Sequence, residues 1–84
     1  MVTVERTQTG MRIERRMLKV LKALAEYLDM SLGDLIEGIV LNAFDGTLPF
    51  GTETSGKIQQ LRAVYGLELT ADDAHRLDEK DGEP

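Results

Sequence analysis

Two groups of residues in this chain have types and spacing that could do chemistry. The first is Asp72, Asp73, His75 and Asp78, carboxylates and an imidazole close together, which is the composition of a metal site. Metal sites converge several ligands into one cage. A stretch near the chain end with a single histidine offers solvated groups instead, so it reads as an exposed helix start, and no cofactor is expected. The second group is basic. Between residues 5 and 25 lie Arg6, Arg12, Arg15, Arg16, Lys19 and Lys22, against only Glu5 and Glu14, a local balance of +4. From Ser31 onward four basic residues face eleven acidic ones, a balance of -7, and the whole chain carries -5. A basic front can meet phosphates, and an acidic back cannot. Catalysis finds little to work with. There is no cysteine, one histidine and no glycine-rich phosphate loop, so the chain is not expected to be an enzyme.

The elements that must position the basic front follow from hydrophobic periodicity. Residues 1 to 13 alternate Thr, Val, Met and Ile with polar residues, a pattern of period two that predicts a short strand. Two registers are open. Val2 and Val4 could face inward, or Thr9, Met11 and Ile13 could, which leaves Gln8, Gly10 and Arg12 facing out. The second runs directly into a helix and is preferred. Met17, Leu18, Leu21, Leu24, Ala25 and Leu28 recur at helical spacing and predict a helix over Arg15–Leu28, with Glu14 a poor N-cap. Ser31 with Asp34 resembles a capping box opening a second helix, whose stripe is Leu35, Ile36, Ile39, Val40 and Ala43 and which stops at Gly46. After a loop over 48–54, Ile58, Leu61, Val64 and Tyr65 predict a third helix over Ser55–Tyr65. Thr70 and Asp73 predict a short one over Ala71–Leu77, and residues 78–84 are expected to be disordered.

One strand and two amphipathic helices cannot close a core, because a lone strand leaves its backbone groups unpaired. The expected remedy is a second copy, with two strands pairing across a two-fold axis above four helices. Such a ribbon fits the major groove of B-DNA. The chain is short enough for one domain, has no cysteine and has no apolar run near the roughly 20 residues of a membrane helix. Together these suggest a cytoplasmic protein that does not engage a membrane.

Over about Thr7 to Gly46 the sequence resembles the ribbon-helix-helix (MetJ/Arc) superfamily. The resemblance rests on Thr7-Gln8-Thr9-Gly10-Met11-Arg12-Ile13, the helix Arg15–Leu28, the turn Asp29-Met30-Ser31 and the apolar segment Leu35 to Val40. In that turn Asp29 replaces the family's usual glycine. The resemblance implies a mainly α fold with one short strand, a ribbon-helix-helix intertwined homodimer with a C-terminal helical extension. Residues 1–46 would be the dimerisation and DNA-binding domain, 47–77 the helical extension and 78–84 the tail. It further implies base contacts from Gln8, Gly10 and Arg12, although Gly10 has no side chain with which to read. A phosphate would sit on the amides of Ser31, Leu32 and Gly33, while Arg6, Arg15 and Arg16 are basic residues placed to meet others. Met11, Ile13, Leu18, Leu21, Leu35, Ile36, Ile39 and Val40 would form the dimer core.

The function expected on these grounds is a sequence-specific, DNA-binding transcriptional repressor acting as a homodimer on double-stranded DNA. The alternative is a dimeric protein-interaction module or antitoxin whose acidic segment 47–84 holds a protein partner.

Overall fold

The first two helices of this chain begin at side-chain caps, and all three helices end where backbone amides reach back to their last carbonyls. The computed structural model describes residues 1–79, which hold α1 (Arg15–Tyr27), α2 (Leu32–Asp45), α3 (Thr52–Tyr65) and a single 3-10 turn at Ala71–Asp73. Glu14 caps α1 after all: its carboxylate accepts from the Met17 N–H at 2.9 Å. The Ser31 hydroxyl accepts from the Asp34 N–H at 3.1 Å and opens α2.

All three helices stop in one way. A residue in the left-handed region follows the last turn, and the next amide reaches back to a carbonyl five residues earlier. The pairs are Met30 N–H to the Ala25 carbonyl after α1, Thr47 to Asn42 after α2 and Leu67 to Arg62 after α3. Gly46 (φ 72°) and Gly66 (φ 66°) take that conformation at little cost, as expected of glycine. After α1 the position is held by Asp29 at φ 59°, where a Cβ is strained.

The expected strand is absent. Among the described residues there is no strand and no sheet, so the ribbon-helix-helix fold with its ribbon-built, intertwined dimer is overturned; the chain is a three-helix protein. The physical reason is that alternation is only a pattern. A strand exists through its inter-strand N–H···O=C bonds, and residues 1–13 have no neighbouring strand and no backbone hydrogen bond among the described residues. They run as an exposed arm. Met11, expected to turn inward, is 70% exposed, and Ile13 is half-buried.

Two further boundaries move. α3 starts at Thr52 rather than Ser55, because Gly51 serves as its N-cap and the loop shortens. The helix expected over Ala71–Leu77 ends after one turn: Ala74 is extended and His75 sits at φ 67°, a conformation no right-handed helix continues through. The tail expected at 78–84 lies, from residue 80 on, outside the described residues.

The core is small. α1 is the central element, and α2 and α3 each pack on it without meeting one another. Leu24, Ala25 and Leu35 are buried together, with Leu21, Leu28, Ile39, Phe50, Ile58 and Leu61 packed around them. Val20 is also buried, although it was not among the residues read as the apolar stripe of α1. Val64, expected on the core face of α3, is 72% exposed.

The strain at Asp29 yields a prediction. Asp29→Gly relieves the left-handed position and stabilises the fold by about 1 kcal/mol, raising the midpoint of thermal unfolding by roughly 4–8 °C for a domain of this size. A melt followed by circular dichroism measures it, and an unchanged or lower midpoint contradicts the strain argument.

Candidate functional site

The basic front expected from the sequence is only partly available. Arg6, on the arm, makes a two-pronged pair with Glu37 of α2, Nε to Oε2 at 2.8 Å and Nη2 to Oε1 at 2.9 Å. The hydrogen bonds from Arg6 hold the Glu37 carboxyl below its ordinary range. Arg12 pairs with Glu79, so the end of the arm, just before α1, and the end of the described chain lie side by side. Arg16 donates from Nε to Glu14 at 3.0 Å and from Nη1 to the Gly66 carbonyl at 3.1 Å. It therefore clamps the start of α1 to the end of α3, a structural task the sequence did not reveal. Arg62 does similar work, donating to the carbonyls of Leu67 and Leu69 and folding the segment after α3 back on that helix.

The residues the resemblance assigns to base contacts stay together on the arm. Gln8, Gly10 and Arg12 are all exposed, in a segment that forms no strand. Arg15, at the first turn of α1, is exposed beside them in sequence. Ser31, Leu32 and Gly33 form the start of α2, where the Ser31 hydroxyl is already engaged as the cap. Of the residues assigned to the dimer core, Leu35 is buried; Leu18, Leu21, Ile36 and Ile39 are half-buried; Met11 and Val40 are exposed. Among the described residues no three acidic or histidine side chains gather as a metal cage would require, and Asp72, Asp73, His75 and Asp78 form no such group. The Asp73 carboxylate instead accepts from the Thr70 N–H at 2.9 Å.

Two surfaces escaped sequence reasoning. The first is apolar. Along α2 and just beyond it Leu41 is 62%, Phe44 80% and Leu48 88% exposed, with Val40 beside them at 38%. Leu41 and Phe44 lie one turn apart on the side of α2 away from Leu35, and Leu48 follows beyond the Gly46 stop, an apolar surface the first stripe obscured. The second surface is a shallow groove of about 640 Å³ between α1 and α3, lined by Lys19, Lys22, Glu26, Tyr27, Lys57 and Tyr65 over a floor that includes Leu61. There the Lys57 ammonium lies 5.0 Å from the centre of the Tyr27 ring, within cation–π range. No local pattern joins residues 19–27 to 57–65, so only tertiary packing could reveal it.

Comparison with known protein families, with curated proteins and with solved structures finds no match to this chain. Among the described residues no helix is long and apolar enough to cross a membrane.

Glu14 carries the clearest pH signature. Partial burial pushes its carboxyl up, but the hydrogen bonds from the Met17 amide and from Arg16 outweigh it, and the group is held below its ordinary value. A depressed folded-state value means stability that is complete above the unfolded carboxylate range and lost as pH falls through the folded value. Glu14→Gln is therefore expected to lower the unfolding midpoint at pH 7, by an amount corresponding to about 1 kcal/mol. The gap between the two proteins should close as the pH is lowered below 4. A gap constant over pH 3–7 would show that the charge does not matter.

Proposed function

We propose that this protein is a homodimeric, DNA-binding transcriptional regulator that meets DNA with its N-terminal arm and the first turn of α1. The observation that carries the reading is the arm itself. Residues 1–12 are exposed and lie outside any helix or strand, Arg6 ties them to α2 and Arg12 to Glu79, and they carry Gln8 and Arg12 just before the basic start of α1. Extended basic arms follow DNA grooves, arginine binding guanine O6 and N7 in bidentate fashion and glutamine pairing with adenine. The ion pairs of Arg6 and Arg12 are solvent-exposed, and phosphate is a strong competitor for an exposed guanidinium.

Surface area supports the dimeric part of this reading. The chain exposes 7317 Å², whereas a compact monomer of this length exposes roughly 5,000 Å². Part of the surplus is the arm, and part is the apolar stripe of α2. A standard interface buries about 800 Å² per partner, well within the surplus. A two-fold pair joined through Leu41, Phe44 and Leu48 would carry two arms, which suits a two-fold symmetric operator.

A second reading is favoured by one observation. Arg6, Arg12 and Arg16 all have acceptors within the chain, and the net charge is -5. A protein-interaction module or antitoxin, using the apolar stripe and residues 47–79 toward a protein partner, would need no free arginines.

Fluorescence anisotropy with duplex DNA from upstream of the protein's own coding sequence, at two salt concentrations, separates the readings. Light scattering should find a dimer, and Phe44→Asp a monomer that no longer binds. Arg12→Ala should lose sequence preference and about ten-fold in affinity, the lower end of what one bidentate base contact provides. A stable dimer with no affinity for DNA at low salt would leave the protein-interaction reading.

A further inference from the structure

We infer that the groove between α1 and α3 is a seat for the sugar–phosphate backbone of nucleic acid. The inference rests on the DNA-binding reading above and names where the phosphates are held. The first observation concerns which cations are free. Arg6, Arg12 and Arg16 are spent on carboxylates, whereas Lys19, Lys22 and Lys57 form no ion pair among the described residues. Those lysines come from two helices and line one groove, opposite a single carboxylate, Glu26. In a chain of net charge -5 this is a local concentration of positive charge, and the local field rather than the sum governs encounter with a polyanion.

The second observation concerns the rings. Tyr27 and Tyr65 flank the same groove, 45% and 37% exposed. The Tyr27 ring holds the Lys57 ammonium over its face, so that lysine is ordered yet keeps its donors. Ammonium groups give compact charge to phosphate oxygens, and phenol hydroxyls donate to the same oxygens. Flat rings beside them accept the apolar face of the sugar. The groove is shallow and open to solvent, so a surface ligand can reach its lysines. An acidic peptide would also satisfy the charge, and the experiment distinguishes the two.

The test compares the full chain with the triple variant Lys19→Gln/Lys22→Gln/Lys57→Gln, and with a Lys→Arg triple variant as the charge-preserving control. Anisotropy on a 20-base-pair duplex is measured from low to physiological salt, with thermal melts confirming that each variant folds. The slope of log affinity against log salt should fall by about one unit for each lysine that contacts a phosphate. Affinity should drop at least ten-fold on every duplex sequence alike, and the arginine variant should keep both. A triple variant that binds DNA with the wild-type slope overturns the groove assignment and leaves the DNA-binding reading standing. A wild-type chain that ignores DNA at low salt overturns both. Tighter binding to a poly-glutamate peptide than to the duplex at equal salt overturns the assignment in favour of a protein ligand.

Discussion

The rest of this structure depends on how little apolar surface one short chain can bury. α1 supplies the only face on which both other helices pack, and the cluster at its centre comes down to Leu24, Ala25 and Leu35. Burying a leucine side chain contributes about 2 kcal/mol, while ordering each residue's backbone costs about 1–2 kcal/mol. A core of this size leaves little margin. The chain compensates at its termini: a side-chain cap on α1 and on α2, a left-handed stop on all three helices, and Arg16 and Arg62 spanning between elements by way of backbone carbonyls. Polar joints of this kind fix geometry where packing alone would not.

The same scarcity gives the surface its character. α2 contributes only Leu35 to the fully buried set, Ile36 and Ile39 are half-buried, and Phe44 on α2 and Leu48 just beyond it are almost wholly exposed. Exposed apolar stripes of this kind mark interaction surfaces. A chain that cannot complete its core alone and keeps a coherent stripe on one helix is built to be completed by another surface. That logic survives the loss of the ribbon, because it rests on the helices and not on the arm.

Helices were legible in the sequence because their signals are local. Period-3.6 stripes placed α1 and α2 nearly to the residue, and Ser31, Gly46 and Gly66 marked their ends through capping chemistry that needs no tertiary context. The misses share a cause, which is dependence on partners distant in sequence. Thr9, Met11 and Ile13 alternate as a strand does, but alternation cannot supply the second strand. Glu14 looked a weak cap because its type is uncommon there, yet its longer side chain reaches the Met17 amide with Arg16 steadying it. Phe50 sat in a stretch read as loop, and only the return of α3 onto α1 gives it a place at the core. The candidate site divides along the same line. Gln8 and Arg12 were singled out through the resemblance and a strand alternation that does not form, whereas no local signal foretold the meeting of Lys19 and Lys22 with Lys57.

Electrostatics and packing therefore divide the molecule differently from the order of its sequence. Basic residues dominate the first part of the chain, but the fold pairs Arg6 with α2 and Arg12 with the acidic end, so the sequence-level front is partly neutralised from behind. Lys19, Lys22 and Lys57, which form no ion pair among the described residues, lie in a groove that includes residues from the nominally acidic half. Exposed ion pairs are weak enough for a polyanion to exchange with them, since their median worth is about 0–1 kcal/mol. The arm's arginines are then a reserve that phosphate can recruit, while the lysines of the groove need no release. A ligand engaging the groove first would raise the local concentration of phosphate near the arm, which turns the second contact into an intramolecular step. Under the proposed DNA-binding reading, a chain of negative net charge would hold a polyanion by position and not by total charge.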